Sequence, residues 1–302
     1  MNKISKKILL SLIIAVTIIS CDKIVTVDLN ESNPTIVIEG NISNLKDSAI
    51  VKITMTGDYF IPYKVPEVDV DYVEITYDST ETIRLEEIKK GYYAAPIKIK
   101  EFNKEYQIKV VSKGKTYTAS STIYEPVLID SILITDIELT VWDTSFGLAK
   151  LADTLTYKLY FADNGNTKNY YRLKTSANDS LRDDKNIQED TYFNGKTYII
   201  QYMERFNKDD TINLELIHYD QKTYTFYSTL YSSLSEGGFG GTPYNPTTNF
   251  DQDDVFGYFA AYGADSYVLP LNYAAELLKQ KGVKTITLNR TQLDSLKNLI
   301  NP

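Results

Sequence analysis

The chain has 302 residues, with 40 acids against 32 Lys and Arg and a formal charge of −8. Such a balance excludes readers of nucleic-acid phosphate and peripheral binders of anionic lipid, both of which need clustered Lys and Arg. A single cysteine and a single histidine exclude a disulfide framework and a Cys/His zinc site, so no metal and no cofactor is expected.

The first stretch carries Lys3, Lys6 and Lys7 and then an apolar run from Ile8 to Ile19. That run is shorter than the roughly 20 residues of a permanent membrane helix and has the flanks of a secretory signal peptide. It ends Ile18-Ile19-Ser20-Cys21, the pattern of a bacterial lipobox. Residues 1–20 are therefore expected to be a lipoprotein signal peptide and Cys21 the lipidation site. Cleavage removes three lysines and no acid, which moves the charge from −8 to −11. Residues 21–33 read as a lipidated tether.

From Thr35 the hydrophobic period becomes two. Thr35–Gly40, Ala49–Met55, Tyr72–Tyr77, Thr82–Leu85, the segment after Lys90-Gly91, Tyr106–Val111 and Lys115–Ala119 all alternate. Lys113-Gly114 is a hairpin signal between the last two. Short strands separated by turns every 8 to 12 residues predict an immunoglobulin- or fibronectin-like sandwich over 34–125.

Tyr124-Glu125-Pro126 is the expected boundary. Over 126–302 the sequence predicts a second β-rich domain, with strands in Val127–Val141, Leu155–Phe161, Tyr170–Thr175, Lys196–Tyr202, Thr211–Tyr219 and Val255–Tyr262. Phe226, Tyr227, Leu230, Tyr231 and Leu234 recur at helical spacing and predict a helix near 223–235. Further helices are expected near 273–281, closed by Gly282, and near 291–300, opened by a capping box at Thr291-Gln292-Leu293-Asp294. The fold class is thus mainly β with a few helices towards the C-terminus. The 25 tyrosines fit this, since most sit among Val, Ile and Thr.

No constellation of catalytic residues emerges, and the chain reads as a non-enzyme. His218 lies in an alternating run and reads as a strand residue with an ordinary partner. Asp251-Gln252-Asp253-Asp254 lacks the Gly and distal Glu of a calcium loop and reads as surface charge. Gly237-Gly238-Phe239-Gly240-Gly241 lacks the Lys-Ser/Thr of a phosphate cradle. It opens a loop whose Phe239, Tyr244, Asn245 and Asn249 are the expected ligand- or partner-binding residues, because binding groups concentrate on such loops.

Several stretches carry a resemblance. Cys21-Asp22-Lys23-Ile24, Val27-Asp28-Leu29, Pro34–Gly40, Thr56–Phe60, Lys90–Tyr93, Ile129–Ile132, Asn169–Arg172, Pro243–Pro246 and Phe256–Phe259 occur in this order. Together they resemble the Bacteroidota outer-membrane lipoprotein family catalogued as domain of unknown function 4249, up to about Tyr262. The resemblance implies an outer-membrane, lipid-anchored protein beside a TonB-dependent transporter. Surface display is favoured over the periplasmic face. The implied role is an accessory or ligand-capture component of nutrient uptake. The alternatives are a passive envelope or adhesion protein and a surface hydrolase.

Overall fold

The computed structural model describes residues 34–57, 68–78, 80–99, 101–137, 140–143, 147–150, 154–178, 180–182, 186–201, 205–236 and 244–300. The fold is mainly β. Its first seven strands are β1 (Ile36–Ser43), β2 (Ser48–Met55), β3 (Tyr72–Tyr77), β4 (Glu81–Lys89), β5 (Tyr92–Pro96), β6 (Lys104–Ser112) and β7 (Lys115–Ile123). They pair in the order β1-β2-β5-β4-β3-β6-β7. The strand β4 changes partner along its length: Glu81–Leu85 pairs with β3, and Glu86, Glu87 and Lys89 pair with β5. This switch folds one ribbon of strands into two facing layers. Inward residues of both layers, among them Ile38, Val51, Ile53, Val73, Ile75, Ile108 and Val110, form one core. Full burial of each such side chain contributes roughly 1.5–3 kcal/mol. The expected hairpin at Lys113-Gly114 has both residues at positive φ (51° and 74°), the twist that a two-residue turn requires.

The remaining strands are β8 (Ile129–Ile137), β9 (Thr140–Asp143), β10 (Gly147–Lys150), β11 (Thr154–Ala162), β12 (Tyr170–Ala177), β13 (Ser180–Leu181), β14 (Asn186–Glu189), β15 (Thr197–Gln201), β16 (Phe206–Asn207), β17 (Thr211–Tyr219), β18 (Val255–Pro270) and β19 (Thr285–Asn289). The helices are α1 (Gln221–Glu236), α2 (Leu271–Lys281) and α3 (Arg290–Ile300). A sheet ordered β15-β11-β8-β19 faces β12, β17 and the second half of β18. Ile132, Leu159, Phe161, Leu173, Leu214, Leu216 and Leu269 fill the space between them, together with Leu278 of α2 and Leu293 of α3.

The strand β18 holds the body together. It is 16 residues long, twice the stretch that its apolar run predicted. Its first half pairs in parallel with β1, from Ile36↔Val255 to Ser43↔Tyr262. Its second half pairs antiparallel with β17, from His218↔Gly263 to Thr211↔Pro270. Because strand side chains alternate, it supplies three cores. Val255, Phe259 and Ala261 join the first sandwich; Tyr267 and Leu269 join the second; Ala260 and Ala264 lie beneath α1. Gly257 (φ 101°) sits opposite Ile38, and a Cβ there would lie 2.0 Å from the Ile38 carbonyl oxygen. The segment Tyr124–Pro126, where a domain boundary was expected, crosses β18 at Gly263.

The helices α1 and α3 open on side-chain caps, whereas Pro270 before α2 supplies none. Asp220 accepts from the Thr223 amide at 2.7 Å and starts α1. Gly282 (φ 64°) closes α2 as its sequence predicted, and Val283 N–H donates to the Leu278 carbonyl at 3.1 Å. The capping box of α3 lies two residues earlier than expected. The Gln292 amide donates to Asn289 Oδ1, and the Asn289 amide donates to Gln292 Oε1, both at 3.0 Å. Asp294, expected to close that box, instead accepts from Tyr267 Oη at 2.6 Å.

Candidate functional site

The outer face of β12, β17 and β18 is roofed by α1, and between them lies an aromatic layer around Arg172. Arg172 is buried. Its guanidinium stands 4.2 Å above the Tyr227 ring and donates to Tyr219 Oη at 3.2 Å. Tyr219 stacks on Tyr227 at 5.4 Å and meets Tyr262 edge-on at 5.4 Å; Tyr258 packs against Tyr227 at 5.0 Å. Burial pushes the Tyr219 phenol up to about 12 against the pull of Arg172, and holds Tyr227 and Tyr262 well above the ordinary tyrosine value. All three are neutral phenols at physiological pH, and the layer is a cation–π floor for the helix.

The loop before β18 is fastened to this roof. Thr247 N–H donates to Thr229 Oγ1 of α1 at 2.9 Å, and Thr248 Oγ1 donates to the Gly257 carbonyl at 2.9 Å. Tyr244 is 41% exposed and Asn245 is also exposed at the start of this fastened segment. On α1 itself, Leu234 is 61% exposed. Asn249 stands differently. Its Nδ2 donates to the Phe259 carbonyl at 2.7 Å and its Oδ1 accepts from the Phe259 amide at 2.9 Å. The side chain is buried and imitates a neighbouring strand, so both its polar atoms serve the fold. Phe239 and Cys21 lie outside the described residues.

His218 is buried in the second core side of β17. Its Nδ1 lies 2.9 Å from the Glu125 carbonyl oxygen, which can only accept, so Nδ1 carries the proton. The rings of Tyr124 and Tyr171 pack against the imidazole at 5.1 and 5.3 Å. Burial holds its pKa below 6.5. Nearby, Asp163 accepts from Tyr171 Oη at 2.5 Å and from the Gly195 amide at 2.7 Å, while Asp190 accepts from the Asn169 amide at 2.8 Å. These carboxylates lock two loops together. Among the described residues, no group of three or more His, Cys, Asp or Glu is placed to hold a metal ion.

The acidic run 251–254 acts as an edge cover. Asp251 accepts from Thr118 Oγ1 at 2.7 Å, Gln252 Oε1 accepts from the Thr118 amide at 2.8 Å, and Asp254 pairs with Lys115. Thr118 lies on β7, the outermost strand of its sheet, and such coverage blocks pairing with other chains.

Sequence reasoning missed the Arg172 layer and the Asp163 lock, whose partners are distant in the chain. A signal did exist for Asp220, an acid placed just before a helical period.

Comparison with known proteins adds a family. Residues 22–267 match the model described as Domain of unknown function (DUF4249). No curated protein matches the chain.

Proposed function

We propose that this chain, which belongs to the DUF4249 family, is an outer-membrane lipoprotein serving as an accessory and ligand-capture component of a TonB-dependent nutrient uptake system. The anchor is the lipid on Cys21, and the body faces the cell surface. The observation that carries the reading is the fastened segment beside α1. Tyr244 and Asn245 stand exposed on a loop tied to the helix by the Thr247–Thr229 bond. An exposed aromatic and amide on a preorganised backbone lose little entropy on binding. Rigid layers of β-sheet behind them suit a surface that presents a loop to a partner.

The test is a pull-down of the tagged, lipidated protein from detergent-solubilised outer membrane, with identification of stoichiometric partners. Recovery of one TonB-dependent barrel supports the reading. Recovery of the protein alone contradicts it and favours a passive envelope or adhesion protein, which the sandwich architecture would also serve.

A further inference from the structure

A concavity lies elsewhere in the fold, away from the loop at Tyr244. A cleft of about 490 Å³ opens between α2, the end of β8, the turn from β16 to β17 and the segment leading into β19. Its size falls within the range of small-ligand pockets. Backbone bonds fix its walls: Asp136 N–H donates to the Lys284 carbonyl and Leu271 N–H donates to the Asp210 carbonyl, each at 2.8 Å. The Gly282 cap sets the remaining corner.

The lining combines three carboxylates, Asp136, Asp209 and Glu276, with three ammonium groups, Lys208, Lys279 and Lys284. Lys208 Nζ and Asp136 Oδ1 stand 3.1 Å apart. Val283, 43% exposed, gives the cleft an apolar face. A ligand of one charge sign would meet as much repulsion as attraction in this lining. A ligand carrying both signs at separated ends meets complementary groups at each.

We propose that this cleft binds zwitterions of amino-acid or short-peptide size. The ligand ammonium lies by Glu276, the ligand carboxylate by Lys208 and Lys284, and an apolar side chain against Val283. Part of the wall, from Asn272 to Lys284, lies beyond the family match that ends at residue 267. The site is therefore partly built by residues outside the shared region, and it does not depend on the transporter reading.

The test is calorimetric titration of the full-length, detergent-solubilised protein with alanyl-leucine, leucine, N-acetyl-alanyl-leucine amide, succinate and putrescine. The expected result is saturable binding of alanyl-leucine or leucine, with at least tenfold weaker binding of the capped peptide, the dianion and the dication. Glu276→Gln and Lys284→Gln should each weaken zwitterion binding at least tenfold. A Ser295→Ala control should leave it unchanged, and matching thermal melts should show that all variants fold. Binding of none of the zwitterions, equal binding of the capped peptide, or insensitivity to both cleft variants would overturn the proposal.

Discussion

The carbonyl oxygen of Tyr124 lies so close over Gly263 that a Cβ at that glycine would stand 2.2 Å from it, and 2.9 Å from the Pro126 nitrogen. At this crossing the chain leaves the first sandwich and β18 passes from β1 to β17. Gly263→Ala must push the crossing segment away. Overpacking of this kind costs about 1–3 kcal/mol, so thermal unfolding should fall by several degrees. Gly57→Ala is the control, since nothing lies within 4 Å of the added methyl, and its melting temperature should stay near that of the parent chain.

The same crossing contains a pH-sensitive group. His218 donates to the Glu125 carbonyl and is packed against Tyr124 and Tyr171. Its folded pKa lies below the ordinary 6.5 because burial disfavours the cation, with the Glu125 carbonyl, Asp163 and Asp190 opposing. The unfolded chain therefore binds the proton more readily. Stability from this group is present above about pH 6.5 and is lost as pH falls below that value. Urea unfolding at pH 7.5 and 5.5 should show a larger loss for the parent chain than for His218→Gln, which keeps a donor and cannot titrate. Equal losses would refute this assignment.

Asn249 and Asn245 are four residues apart yet should behave oppositely. Asn249→Ala leaves the amide and carbonyl of Phe259 without their partner in a buried place. The expected loss is about 1–3 kcal/mol for each orphaned group, visible as a lower denaturation midpoint. Asn245→Ala, at an exposed position, should leave the midpoint within about 0.5 kcal/mol and affect only partner capture.

The start of α3 offers a fourth check. Asn289→Ala should cost about 0.5–2 kcal/mol, the usual value of an N-cap, because it ends the reciprocal pair with Gln292. Asp294→Asn should act through Tyr267, whose hydroxyl it accepts, and through its ion pair with Arg290 at 3.9 Å, leaving the Asn289–Gln292 pair intact. Helical ellipticity and hydrogen exchange of the first turn separate the two effects.

How much of this was legible follows from how local each signal is. The strands of the first sandwich read cleanly because one face is buried, so Ile36, Ile38 and Ile42 alternate with the half-buried Val37, Glu39 and Asn41. The helices read from their three-four spacing, and Gly282 marked its own stop. The full length of β18 did not read. Beyond Tyr262 the pattern passes through Gly263, Ala264, Asp265 and Ser266, and the buried Asp265 is balanced by Arg290 and by the Ile129 and Ser266 amides. The parallel pairing of Ile36 with Val255 is equally invisible, since register between distant strands is set by packing rather than local pattern. Of the expected contact residues, Tyr244 and Asn245 are exposed and Asn249 is built into the fold. Composition cannot separate these roles, because an asparagine suits a loop surface and a buried backbone mimic equally well.

The most direct measurement is site-specific photo-crosslinking in cells, with the reactive side chain placed at position 244 and, on a different part of the body, at position 197. The expected result is a discrete adduct with one outer-membrane barrel from position 244 and none from 197. No adduct from 244, or the same adducts from both positions, would contradict it.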